Sequence, residues 1–240
     1  MKDLHSHLLP GVEDGAKVIE HTRDMLKSAR EAGVTDIMFT PHYVKGSKFS
    51  STAQVNNEIF EDIKVIAKEE YDINAYLGNE IYLVEGVLRD IKSGKCNTLN
   101  GSKYILCEIP MHQRFNNLKS VFIEIMNAGY KPILAHPERY SAYLGDYEFF
   151  IQLYELGVKM QINYPSLLGM YGSKPKKMAK KLLKMGIIDF VGSDIHSVSE
   201  LKYEKLDKAM KKLKRIVGND RFYELTEYNF ELIVKDKQIN

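Results

Sequence analysis

Apolar positions along this chain fall into a repeated unit, in which a helical pattern ends at a glycine and a short apolar run follows at once. Four copies stand out: EAGVTDIMFT at Glu31 to Thr40, NAGYKPILAH at Asn127 to His136, ELGVKMQIN at Glu155 to Asn163 and KMGIIDFVGSD at Lys184 to Asp194. A glycine just past a helix end supplies the left-handed cap, and an uninterrupted apolar run suits a strand buried on both faces. Lys2 to His7, Ile73 to Glu80 and Tyr104 to Glu108 read as three further strands. Helical stretches such as Ile19 to Ala32, Ala53 to Lys68 and Leu118 to Ala128 separate them. Strands alternating with helices make parallel βα units, and seven units suggest a (β/α)7 barrel of TIM type. An open doubly wound sheet uses the same units, and periodicity does not separate the two.

The length of 240 residues and 44% hydrophobic content suit one such barrel, so residues 1–240 are expected to form a single domain. The polar stretch Lys45 to Thr52 reads as a loop within it. Thirty-four basic against thirty-two acidic residues leave a net charge of +2. That balance predicts no nucleic-acid partner, and any basic patch must be argued locally. The lysine-rich run Ser173 to Gly186 and the stretch Leu206 to Val217 read as solvated faces of amphipathic helices. No run of about 18 apolar residues occurs, and His5 and His7 interrupt the N-terminus, so a soluble, cytoplasmic protein without membrane insertion is expected. Two cysteines, Cys96 and Cys107, are too few for a disulfide framework.

Parallel barrels carry their chemistry at the carboxyl ends of the strands. Strand by strand, those ends deliver His5 and His7, then His42, Glu80, Glu108, His136 and finally Asp194 with His196. Asp14 follows in the first loop, and the sixth strand delivers only Asn163. Residues two apart in an extended strand face one way, so His5 and His7 can reach one ion, as can Asp194 and His196. Taken singly, His42 or His136 reads as a hydrogen-bonding loop histidine, and Glu80 or Glu108 as a surface carboxylate. Gathered at one mouth, carboxylates would repel by roughly 4 kcal/mol per pair at about 4 Å and an effective dielectric near 20. Divalent cations remove that penalty, and imidazole with carboxylate donors suits borderline to hard ions.

These residues lie in motifs that resemble the PHP superfamily, named for polymerase and histidinol phosphatase domains, along nearly the whole chain: DLHSH at Asp3 to His7, TPHY at Thr40 to Tyr43, GNEIY at Gly78 to Tyr82, AHPERY at Ala135 to Tyr140 and GSDIHS at Gly192 to Ser197. Within it, HSHLLPGVEDGA at His5 to Ala16 and PILAHPERY at Pro132 to Tyr140 look like the bacterial manganese-dependent protein tyrosine phosphatases of capsule and exopolysaccharide biosynthesis. The resemblance implies a distorted (β/α)7 TIM-like barrel holding up to three manganese ions, with magnesium, iron or zinc as substitutes. His5, His7, Glu80 and Asp194 would surround one ion; Glu80, Glu108 and His136 a second, with Glu80 bridging; Asp14, His42 and His196 the third.

The implied reaction is phosphotyrosine hydrolysis by a hydroxide bridging two metals. Arg139 would clamp phosphoryl oxygens, the alternative being a salt bridge with Glu138. His42 or a metal-bound water would serve as acid where one is needed, although a phenol with a pKa near 10 leaves readily. The implied partner is a bacterial tyrosine kinase with a tyrosine-rich tail. One departure is visible: the segment after His196 runs SVSELKYEK, where a further phosphate-binding arginine is expected, and Lys202 is the nearest cation. Tyr43, Phe115, Tyr140, Tyr143, Tyr164 and Tyr171 fall in predicted mouth loops where a substrate ring could pack. His112 lies in the loop after the fourth strand, within reach of a substrate. Cysteine-dependent phosphatase chemistry is excluded by spacing, because six residues rather than five separate Cys107 from Arg114. A histidinol-phosphate type phosphatase or a non-catalytic metal-stabilised domain are the competing readings.

Overall fold

A computed structural model describes residues 1–239. Nine parallel strand segments follow in chain order: β1 (Lys2–Ser6), β2 (Asp36–Phe39), β3 (His42–Tyr43), β4 (Asn74–Leu77), β5 (Glu80–Tyr82), β6 (Tyr104–Glu108), β7 (Lys131–Ala135), β8 (Lys159–Asn163) and β9 (Phe190–Gly192). They occupy seven positions, because two strands are broken. Thr40 and Pro41 interrupt β2 and β3, where proline has no N–H to give the ladder, and Gly78 and Asn79 interrupt β4 and β5. Asn79 closes the breaks by donating to the Pro41 carbonyl at 2.8 Å, while its own carbonyl oxygen accepts from the Asn97 amide at 2.7 Å.

Two sheets result, in the orders β1-β2-β4 and β3-β5-β6-β7-β8-β9. A parallel bridge between Ser6 and Ile195 joins their free edges. There the His7 amide donates to the Ile195 carbonyl and the Asp194 amide to the His5 carbonyl, at 2.9 and 2.8 Å. The seven positions therefore run in a ring, which settles the choice between barrel and open sheet. Register then aligns the carboxyl ends: His42 pairs with Glu80, Tyr82 with Glu108, and Asn163 with Gly192.

Leu4, Met38, Leu106, Ile133, Ala135 and Phe190 form a buried cluster with Phe230 and Ile233 of the helix Asn229–Val234. This C-terminal segment covers the amino ends of the strands, as the pair Lys2–Glu231 at 3.0 Å and the bond from Tyr104 Oη to the Lys237 carbonyl at 2.8 Å mark out. The mouth is left to the opposite end. Helices Ile19–Glu31, Ala53–Tyr71 and Leu118–Asn127 lie where the hydrophobic pattern predicts them. No described helix is long and apolar enough to cross a membrane.

Gly192 sits at the seam between the first and last strands. A Cβ there would stand 2.7 Å from His5 Cβ and 2.9 Å from Gln161 Nε2. Gly192→Ala is therefore expected to destabilise the chain by about 1–3 kcal/mol through overpacking. Urea unfolding in the presence of a chelator checks it, and an unchanged midpoint would mean that the seam is not tightly packed.

Candidate metal centre

All nine predicted donors converge at the mouth. Two imidazole nitrogens, His5 Nε2 and His7 Nε2, lie 3.0 Å apart. Glu80 Oε2 stands 3.2 and 3.5 Å from them, and Asp194 Oδ1 3.6 and 3.3 Å. On the other side of Glu80, its Oε1 lies 2.9 Å from His136 Nε2, which is 3.7 Å from Glu108 Oε1. Toward solvent, Asp14 Oδ1 is 3.8 Å from His42 Nε2 and 3.6 Å from His196 Nε2. Three groups of donors close enough to share an ion follow: His7, Asp14, His42 and His196; His5, His7 and Glu80; and His42, Glu80 and Glu108. His7 thus reaches the outer group as well, its ring stacked on that of His196 with centroids 3.9 Å apart. Two ligand-bearing turns are left-handed at non-glycine residues, His136 at φ 33° and Asp194 at φ 52°, a conformation that persists only where surrounding contacts enforce it.

The residues that hold these donors were not all legible as site residues. Asn163 Nδ2 donates to Asp194 Oδ2 at 2.6 Å, Gln161 Nε2 donates to Asn163 Oδ1 at 2.9 Å, and Gln161 Oε1 is left to accept from His5 Nδ1 at 3.0 Å. This chain of amides fixes the tautomer: His5 carries its proton on Nδ1 and presents a bare Nε2. Glu13 does the same for His7, accepting from Nδ1 at 2.8 Å, and its second oxygen accepts from the His42 amide at 2.7 Å. Asp3, buried beneath, accepts from the Ser193 amide and Tyr203 Oη, both at 2.8 Å. The strand period was the available signal for Gln161, two residues before Asn163 on the same face of β8.

The donor set fits a cation. With Nδ1 of each ring donating to its own partner, the facing His5 Nε2 and His7 Nε2 are 3.0 Å apart, a separation that needs a proton or a metal ion between their lone pairs. Among the described residues, His136 Nδ1 is buried without a hydrogen-bond partner, while Glu80 Oε2 and His42 Nδ1 lie 2.9 Å apart without hydrogen-bond geometry. Burial and then repulsion from Glu80 push Glu108 up to about 8. Burial lowers His136, and burial with the neighbouring His7 lowers His196 to about 4, so both are neutral imidazoles at pH 7. Burial opposes charge on His42 too, yet Glu80 outweighs it and lifts the ring to about 9. Protons here occupy the role a divalent ion would take, and metal binding would release them. No thiol joins the set, since Cys96 and Cys107 are both buried outside it and burial pushes Cys96 up to about 12.

Several expectations about the mouth are corrected. Arg139 does not pair with Glu138, which accepts instead from the Asn163 amide and Ser166 Oγ at 2.9 and 2.7 Å. Its Nη1 donates to Asp194 Oδ2, and its guanidinium lies over the Tyr171 ring, 4.4 Å from the centroid. Lys202 is buried with its ammonium on the Asp194 carbonyl and 3.2 Å from Glu200, so it supports the Asp194 turn rather than facing a phosphate. Tyr43, Tyr140, Tyr143 and Tyr164 are buried core residues, leaving Phe115 and Tyr171 as the partly exposed rings of that group. His42 Nδ1 lies 2.9 Å from Glu80 Oε2 and its Nε2 3.8 Å from Asp14 Oδ1, which places the ring within the cluster. His112 is exposed, with Nδ1 3.0 Å from Ser141 Oγ.

If Gln161 holds His5 in its ligating tautomer, Gln161→Ala should weaken manganese affinity by about 10–100-fold while leaving the fold intact. Isothermal titration with manganese, alongside circular dichroism, measures both. Unchanged affinity would remove Gln161 from the centre.

A family model described as capsular polysaccharide synthesis, CpsB/CapC, matches residues 1–235. Tyrosine-protein phosphatase YwqE of Bacillus subtilis is 30% identical over 239 residues, spanning 100% of this chain and 93% of that protein. Tyrosine-protein phosphatase CpsB of Streptococcus pneumoniae is 32% identical over 205 residues, spanning 82% and 84%. A solved structure from the study of YwqE and S. pneumoniae CpsB, described as metal-dependent tyrosine phosphatases, superposes with a TM-score of 0.92 at 29% identity, covering all of this chain and 96% of the other. Histidinol phosphate phosphatase of Lactococcus lactis, solved with zinc, L-histidinol and phosphate, shares the fold at a TM-score of 0.56 and 17% identity, covering 88% and 94%. The chain belongs to the CpsB/CapC family of capsular polysaccharide synthesis.

Proposed function

We propose that this protein is a metal-dependent protein tyrosine phosphatase. The observation that carries the reading is the pair of opposed ring nitrogens of His5 and His7 flanked by Glu80 and Asp194, at the mouth of a chain whose relatives are named tyrosine-protein phosphatases. His5, His7, Glu80 and Asp194 would hold one ion, Glu80, Glu108 and His136 a second, and Asp14, His42 and His196 a third, with manganese the expected metal. Bound divalent cations supply Lewis acidity toward phosphoryl oxygens and a hydroxide nucleophile at neutral pH.

The chain's own groups do the rest. Glu80 offers its two oxygens to different neighbours, which suits a bridging carboxylate. Asp194 is anchored through Oδ2 and keeps Oδ1 toward the imidazoles, so its ligating oxygen is preset. Arg139 reaches the site over Tyr171 with only Nη1 engaged, and the remaining guanidinium N–H groups can donate to a phosphoryl oxygen. A phenolate leaving group, with a pKa near 10, needs no dedicated acid, and His42 or a metal-bound water would serve where one is needed. The proposed partner is a tyrosine kinase of polysaccharide assembly, a reading that the capsular family and the phosphatase names of the relatives support, and the proposed location is the cytoplasm.

Phosphotyrosine peptide hydrolysis should vanish on treatment with EDTA, return with manganese, and fall by at least about a hundredfold in Asp194→Ala, since several kcal/mol of charge stabilisation is lost. Arg139→Lys should raise KM more than it lowers kcat, because a point charge replaces a planar fork. Steady-state kinetics measures each, and faster turnover of histidinol phosphate than of phosphotyrosine peptides would overturn the substrate assignment.

A further inference from the structure

Charge is unevenly spread over the molecule. Residues 173–217 hold thirteen of the 34 basic residues and only five of the 32 acidic ones, so this segment carries +8 and the remainder −6 at neutral pH. Most of the excess lies on two helices that pack side by side, Ser173–Lys184 and Leu206–Val217. Their apolar faces are buried through Met178, Ala179, Leu182 and Leu183 on one and Leu206, Ala209 and Leu213 on the other. Helical period then turns the lysines outward together, with Lys176 and Lys180 one turn apart and Lys208 and Lys212 likewise. The four crowd across the helix pair: burial and then repulsion from Lys176, Lys208 and Lys180 lower the Lys212 ammonium. Among the described residues, Lys211 alone on these helices has a carboxylate partner, Asp207 at 2.7 Å.

We propose that this two-helix face docks the protein on an anionic lipid surface. Clusters of four to eight cations on an amphipathic helix are what a negatively charged headgroup layer attracts. The two helices together carry ten lysines and one arginine. A guanidinium fork reads a phosphate in one fixed geometry, whereas mobile ammonium groups suit a diffuse layer of charge. Neither helix carries an aromatic residue on which a nucleic-acid base could stack. The apolar faces are already occupied by the core, so the contact is peripheral and electrostatic, with no insertion. Ser173 follows the loop that carries Tyr171, beyond the carboxyl end of β8, so the face borders the mouth of the barrel. Docking here would hold that mouth beside the lipid surface, and it does not depend on the phosphatase assignment.

Co-sedimentation of the full chain with phosphatidylcholine vesicles, with and without phosphatidylglycerol, tests the proposal. Binding is expected only to the anionic vesicles, fading as salt rises toward about 0.5 M, where screening shortens to a few ångströms. The combined variant Lys176→Glu, Lys180→Glu, Lys208→Glu and Lys212→Glu should bind at least about a hundredfold more weakly, while turning over para-nitrophenyl phosphate at the unaltered rate. Replacing the same four lysines by arginine should preserve vesicle binding, which keeps the test decisive if the glutamate variant misfolds. Equal binding to neutral vesicles, no binding to anionic ones, or tighter lysine-dependent binding to single-stranded RNA or polyglutamate at the same salt would each overturn it.

Discussion

Everything at the mouth depends on how the first and last strands meet. β1 ends at Ser6 and β9 begins only at Phe190, and β9 is three residues long. Between them run the backbone bonds joining His7 to Ile195 and Asp194 to His5, with buried Asp3 tying in the Ser193 amide. The same contact closes the ring and sets Asp194 opposite His5 and His7. Gly192 is part of the same constraint, because only a residue without Cβ lets β9 come this close to His5 and Gln161. Closure and site assembly are thus one event, so a perturbation of the seam should be felt in both.

The second constraint is electrostatic. Glu13, Glu80, Glu108 and Asp194 are gathered around five largely buried imidazoles, and several kcal/mol of repulsion would follow if the carboxylates were uncompensated. Without metal the chain relies on protonated His7 and His42, both held well above their ordinary range by adjacent carboxylates despite burial. That arrangement stores positive charge where an ion would bring more of it. The relay from Asp194 through Asn163 and Gln161 to His5 is then more than scaffolding, since it settles which nitrogen stays bare. A hydrocarbon side chain at 161 would fill the same space and leave the His5 tautomer free.

Much of this was readable in the sequence, for reasons that also explain what was not. The glycine-to-strand junctions marked β2, β7, β8 and β9 because helix caps and buried strands leave local patterns, and the donors stood out because barrel strands end at one face. The breaks at Pro41 and Gly78 were missed, since a strand that halts and resumes keeps its hydrophobic pattern. Residues 219–234 went unassigned although they form helices that cover the strand amino ends. Glu13, next to Asp14, and Gln161 look like ordinary polar residues until the fold aims them at a ring nitrogen. The tyrosines erred in the opposite direction: position in a mouth loop said nothing about burial, and Tyr140 and Tyr164 turn inward to fill the core.

Lys202 shows why a missing residue should be judged by the job its replacement has taken. In sequence it stands nearest to where another phosphate-binding arginine is expected, and a cation for a cation would be the natural reading. In the fold its ammonium lies on the carbonyl of Asp194, eight residues back, where it steadies a left-handed turn. The charge is buried and engaged on the protein side of the cluster, while Arg139 is the guanidinium on the open side, stacked over Tyr171. A phosphoryl group entering this mouth would therefore meet one arginine rather than two. Neutralisation of its remaining charge falls to whatever cations the nine donors hold, which makes substrate binding, and not only turnover, dependent on the occupancy of the centre.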